Sequence, residues 1–233
     1  MEKEYIFLIL TAASLGIIHT AIGPDHYVPF IALAKANNWS MYKVIIITAL
    51  CGVGHILSYI LIGLIGAAFG LAINSIETIE SIRGDIASWS LIAFGLVYLI
   101  WGFKKAYIGK PHTHFHFNKD KHLHYESDIA NYKHKNEHTK NNAAWILFVI
   151  FVFGPCEVLI PLFMYMVTLK NTSLLILVTG VFGIATILTM LGTVSFSLIG
   201  LKFFHSKKLE KYSHAIAGII ILICGVSIKY FSL

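Results

Sequence analysis

Gly23-Pro24-Asp25-His26, followed by Pro29, returns 131 residues later as Gly154-Pro155-Cys156-Glu157, followed by Pro161. These two elements hold four of the five prolines in the chain. The same shift lays His55-Ile56-Leu57-Ser58 on Thr186-Ile187-Leu188-Thr189, and Gly52 on Gly183. Apolar identities come easily in an apolar chain, so the paired Gly-Pro elements carry the case for an internal repeat.

Around these elements the sequence is apolar in long blocks: 57% of its residues are hydrophobic and 13% are charged. Blocks of that length cross a bilayer, whose core of about 30 Å takes roughly 20 residues of helix. Six spans are expected, at about 5–23, 44–71, 87–103, 144–168, 172–202 and 213–231. Three spans per half is an odd number, so the second half enters the membrane inverted. The fold class is therefore all-α: a polytopic membrane protein of six transmembrane helices built as two inverted three-helix repeats. The first repeat is assigned to 1–103, a histidine-rich loop to 104–142 and the second repeat to 143–233. Inverted repeats with Gly- or Pro-interrupted helices meeting near the midplane are a recurrent transporter architecture.

Lys and Arg collect in cytoplasmic loops. Fourteen of the eighteen lie between spans one and two, three and four, or five and six; Lys3, Arg83, Lys170 and Lys229 lie on the other side. Both termini and the short loop at Arg83 are expected outside, with the histidine-rich loop in the cytoplasm. Topology accounts for the net charge of +6 without a nucleic acid partner. The three cysteines, Cys51, Cys156 and Cys224, sit within spans, which excludes a secreted disulfide framework.

Polar residues inside spans are costly and functional by default. Pro24 and Gly23 break the first helix and free carbonyls that survive only inside protein or against a wet cavity. The break lets His19, Asp25 and His26 converge, and His55 lies mid-span in the second helix. Imidazole with one carboxylate is a ligand set for nickel, cobalt or zinc. In the second half Pro155 presents Cys156 and Glu157, and Thr186 stands where the first half has His55; these three are candidates for metal or proton coupling. The loop adds His112, His114, His116, His122, His124, His134 and His138, a compositional signal for metal capture.

His19-x5-Asp25-His26, Gly54-His55 and the Pro155-Cys156 element resemble the nickel/cobalt transporter superfamily, most closely its NicO and UreH-like branches within the wider LysE-like transporters. Five residues separate His19 from Asp25, where the nickel permease signature has four. The resemblance implies a secondary transporter, not an enzyme, with His19, Asp25, His26 and His55 binding a divalent nickel or cobalt ion in transit. It further implies no permanently bound cofactor, a slight lean to efflux, and the bilayer, the metal, a second copy of the chain or a metallochaperone as partners. No Gly-x4-Gly-Lys-Ser/Thr element is present, so an ion gradient or a partner would drive transport. A second reading is a membrane thiol-disulfide electron carrier of the CcdA/DsbD type, which Gly154-Pro155-Cys156 also resembles. That type uses one cysteine from each half, and here Asp25 stands opposite Cys156. A third is an exporter of a small organic solute or sulfur anion.

Overall fold

A computed structural model describes residues 2–69, 73–108, 135–154, 158–201 and 210–231. Helix α1 covers Glu2–Ile22, and Gly23 leads into a single 3-10 turn, Pro24–His26. Then come α2 (Val28–Ala36), α3 (Met41–Ala68), α4 (Ile73–Ile108), α5 (Lys135–Val152), α6 (Leu159–Thr168), α7 (Thr172–Leu201) and α8 (Ser213–Phe231). No strand occurs among the described residues. The all-α polytopic architecture read from the sequence is what the structure shows.

Five helices are long and apolar enough to cross a membrane: α1, α3, α4, α7 and α8. Span four is a correction. It is not one helix but α5 and α6, two shorter apolar helices, the first of which ends at Val152 with a turn at Phe153 ahead of Gly154. The third span also differs, starting at Ile73 and not near 87. Glu80, Arg83 and Asp85 had marked that stretch as a loop, but they lie on α4 itself. Likewise α4 runs on to Ile108 and α5 begins at Lys135, so both ends of the segment assigned as a loop are helical.

The 131-residue shift reappears in the element boundaries. Moved by that amount, the start of α2 at Val28 falls on the start of α6 at Leu159, and the start of α3 at Met41 falls on the start of α7 at Thr172.

Packing follows the same symmetry. Tyr5 meets Asn171, and Gly16 meets Ala185 and Thr186, so α1 and α7 run parallel. Their counterparts α5 and α3 are also parallel, since His55 meets Phe151 and Tyr59 meets Gly154. The central pair α3 and α7 is antiparallel: Gly52 packs on Ile187 and Gly183 on Ile56, two contacts that exchange under the shift. Helices α4 and α8 are antiparallel as well, with Gly102 against Ala215, Gly95 against Leu222 and Gly218 against Leu99. A Cβ at Gly102 would stand 2.4 Å from the Ala215 nitrogen. Only a missing side chain permits that approach, the means by which helices associate where no hydrophobic force separates protein from lipid.

The outer surface is apolar. Phe7, Ile176 and Phe196 are exposed, whereas Thr20, His26, Thr48, His55, Glu80 and Thr186 are buried. This inside-out distribution is what a chain solvated by lipid requires, because polar groups must find partners within the bundle. Such a chain is a multi-pass membrane protein.

Candidate functional site

The break after α1 builds the site. The Gly23 amide still bonds the His19 carbonyl at 2.9 Å, closing the helix, and the 3-10 turn then swings Asp25 and His26 into the bundle. A Cβ on Gly23 would lie 2.7 Å from His26 Nδ1 and 2.9 Å from Asp25 Oδ1. Glycine is thus required by the two side chains packed over it. From the neighbouring helix α3, His55 reaches the same point, and the rings stack edge to face: His19 to His26 at 4.7 Å between centroids, His26 to His55 at 5.5 Å.

One ring nitrogen from each of His19, His26 and His55 lies within 4.8 Å of the others. His26 and His55 are each 1% exposed, and the Nε2 atoms of all three are buried without a hydrogen-bond partner. The Nδ1 atoms of His26 and His55 are engaged. His55 Nδ1 donates to the Phe151 carbonyl at 3.0 Å, and His26 Nδ1 faces Asp25 Oδ1 at 3.0 Å. A carbonyl only accepts, so the His55 proton sits on Nδ1 and its Nε2 carries a lone pair; the Asp25 carboxylate fixes His26 the same way. Beside Asp25 lies a cavity of about 20 Å³, bordered by Pro29, Ser88, Phe151 and Gly154. That is room for about one water molecule.

Of the residues singled out in the sequence, the three histidines come together. Asp25 does not join them as a fourth ligand but holds His26 from behind. Thr186 lies apart, buried against Gly16 of α1 with its hydroxyl unpaired. Thr189 bonds back to the Ala185 carbonyl at 2.8 Å, the usual role of a hydroxyl in a membrane helix. Cys156 and Glu157 lie outside the described residues, as do His112, His114, His116, His122, His124 and His134. His138 falls in α5, but its side chain is not described.

A second network adjoins the cluster, and sequence reasoning missed it. Tyr59 stacks on His55 at 5.2 Å, and its hydroxyl lies 3.1 Å from Glu80 Oε2 and 3.2 Å from the Gly154 carbonyl. Arg83 donates to Glu80 Oε1 at 2.5 Å, to Ser58 Oγ at 2.9 Å and to the Val152 carbonyl at 2.9 Å. Helix α5 ends at the break, where the Phe151 carbonyl accepts from the Gly154 amide at 3.1 Å. His55, Arg83 and Tyr59 add side-chain donors at the carbonyls of Phe151, Val152 and Gly154. The available signal was Glu80 and Arg83 at i,i+3 among Ile76, Ile79, Ile82 and Ile86, a helical spacing that reads as an apolar face carrying an ion pair.

Residues 26–227 match the family model described as cytochrome C biogenesis protein transmembrane region. The chain belongs to this family. No curated protein and no solved structure matches.

Membership in the cytochrome c biogenesis transmembrane family corrects several expectations. The chain is not a member of the nickel/cobalt transporter superfamily, and the reading as a nickel or cobalt transporter falls with that resemblance. So does the transported divalent ion as its cargo. The physical reason for the misreading is the break itself. The histidines beside the first Gly-Pro element carried the transporter reading, whereas the Gly154-Pro155-Cys156 element also resembled the thiol-disulfide carriers given as the second reading. The family match begins at His26 and leaves α1, with His19, ahead of it.

Proposed function

We propose that the chain is a membrane electron carrier that works by thiol-disulfide exchange at Cys156. The observation that carries this reading is the family match across residues 26–227, which spans the Gly154-Pro155-Cys156 element. The position equivalent to Cys156 in the first half is Asp25, which cannot form a disulfide, so the symmetry-related positions form no dithiol couple. One thiol suffices if donor and acceptor both bring two. The Cys156 thiolate attacks the disulfide of an acceptor protein, forming a mixed disulfide as one acceptor thiolate leaves. A donor dithiol then attacks the Cys156 sulfur, which frees the acceptor fully reduced, and the second donor thiolate displaces Cys156. Two electrons pass from donor to acceptor and Cys156 returns as thiolate. The chain relays electrons and has no substrate of its own.

Such a relay needs one sulfur to meet partners on opposite sides, and two inverted halves pivoting about the central pair α3 and α7 provide the means. The distribution of Lys and Arg supports an orientation in the cytoplasmic membrane with both termini outside and the histidine-rich loop in the cytoplasm. The donor is then a cytoplasmic dithiol protein and the acceptor an external one.

Acid-quenched membranes carrying Cys51→Ala and Cys224→Ala, with Cys156 retained, should show a mixed-disulfide adduct on non-reducing gels. Reductant should remove it and Cys156→Ser should abolish it. A Cys156 that stays fully reduced and adduct-free under oxidising and reducing growth overturns the proposal. A redox-dependent Cys51 to Cys156 crosslink in the unmodified chain would replace the single-thiol scheme with an internal couple.

A further inference from the structure

We propose that His19, His26 and His55 form a resident binding site for one monovalent copper ion, held by their three Nε2 atoms. This goes beyond the electron-carrier reading and does not depend on it. Two observations and one physical argument point to the ligand. The Nε2 atoms are buried and unbonded, in a bundle where every other ring nitrogen of His26 and His55 has a partner. The Nδ1 protons of His26 and His55 are already committed to Asp25 and the Phe151 carbonyl, so the Nε2 atoms of these two rings carry lone pairs, and a ring nitrogen of His19 lies within 4.8 Å of a ring nitrogen of each. Lone pairs converging in an apolar interior repel one another unless a cation lies between them.

The geometry accommodates such an ion. One ring nitrogen of each histidine lies within 4.8 Å of the others, so a point within about 2.8 Å of all three exists, and a metal-imidazole bond is about 2.0 Å. Each nitrogen closes by less than about 1 Å, within reach of small side-chain rotations. Asp25 behind His26 is the carboxylate-histidine support that metal sites use to fix a ring and raise its basicity.

Charge and coordination number among the described residues favour a monovalent ion. Among the described residues, the one carboxylate bound to the cluster is Asp25, and the nearby Glu80 is neutralised by Arg83. A monovalent ion with three neutral imidazoles and one carboxylate is electrically neutral, whereas a divalent ion leaves one positive charge buried. Zinc also asks for four ligands in a closed site. Among the described residues only three histidines gather here. Monovalent copper accepts three nitrogen donors in a plane.

The test uses the full chain purified in detergent, with the seven loop histidines replaced by glutamine so that they do not compete. Monovalent copper is titrated anaerobically against a chromogenic copper chelator. One ion per chain is expected, with X-ray absorption showing three nitrogen neighbours at about 2.0 Å and no sulfur. His26→Ala and His55→Ala should each weaken binding at least 100-fold, and Asp25→Asn by about 10- to 100-fold. Stoichiometry and the nitrogen shell are read on the chain with its cluster intact, so a variant that fails to fold does not spare the proposal. Absence of stoichiometric copper, a sulfur ligand, tighter binding of zinc or nickel, or equal affinity in a folded His26→Ala variant overturns it. Cys156→Ser should bind copper unchanged, which separates this result from the fate of the thiol relay.

Discussion

Replacing Arg83 with glutamine should be among the most damaging single changes outside the histidine cluster. Glu80 is fully buried and Arg83 is 12% exposed, and the two form an ion pair that also reaches Ser58 and the Val152 carbonyl. Removing one partner of a buried pair leaves an uncompensated charge, at a cost of about 3–5 kcal/mol. The Val152 carbonyl loses its charged donor as well, and an unsatisfied buried acceptor costs roughly 1–3 kcal/mol, part of which the glutamine amide recovers. A loss of about 4 kcal/mol is expected for Arg83→Gln, measured by unfolding the detergent-solubilised chain with a graded denaturing detergent. Glu80→Gln combined with Arg83→Gln removes both charges and leaves an amide pair, so the double variant should lie within about 2 kcal/mol of the unmodified chain. If Arg83→Gln costs less than about 1 kcal/mol, or the double variant is as unstable as the single effects added together, the network is not a coupled buried unit.

Gly102→Leu should separate α4 from α8 and cost about 1–3 kcal/mol, read as a lowered melting temperature in detergent, because its Cβ meets backbone and not a movable side chain. Asp85→Asn should change stability by less than about 1 kcal/mol, since the Lys229 to Asp85 bridge is held by a carboxylate 58% exposed; a larger effect in the same melting assay would contradict the surface assignment. Single cysteines at Lys119 and Lys170 in a Cys-free chain should label from opposite sides of the membrane, and labelling of position 119 by an impermeant reagent in intact cells would reverse the orientation. Tyr59→Phe should cost about 1–2 kcal/mol by removing the donor shared between Glu80 and the Gly154 carbonyl, a loss that Tyr59→Trp would not repair.

The fold was legible because lipid imposes length and apolarity, and because the two Gly-Pro elements fixed an offset that α2, α6, α3 and α7 obey. The boundaries of α4 were not. Charge counting treats Glu80 and Arg83 as solvent residues, whereas three-dimensional pairing lets both enter a helix. In the site, His19, Asp25, His26 and His55 were readable as ionisable groups inside apolar runs. What spacing could not reveal was that Asp25 faces His26 Nδ1 and not the common centre, because that depends on the 3-10 turn at Pro24. The family was misread for a related reason: imidazoles are conspicuous in an apolar sequence, and a single cysteine after a proline is not.

The ends of α1 and α5 differ in how they are held. At the end of α5, donors from α3 and α4 clasp three successive stretches of carbonyl, at Phe151, Val152 and Gly154. At the end of α1 the closing bond is the local one between Gly23 and His19. The end of α5 is thus tied by side chains to two other helices, whereas the end of α1 is closed by backbone bonds within its own turn, so a substitution at Tyr59 or Arg83 reaches a helix end that lies far from it in the chain.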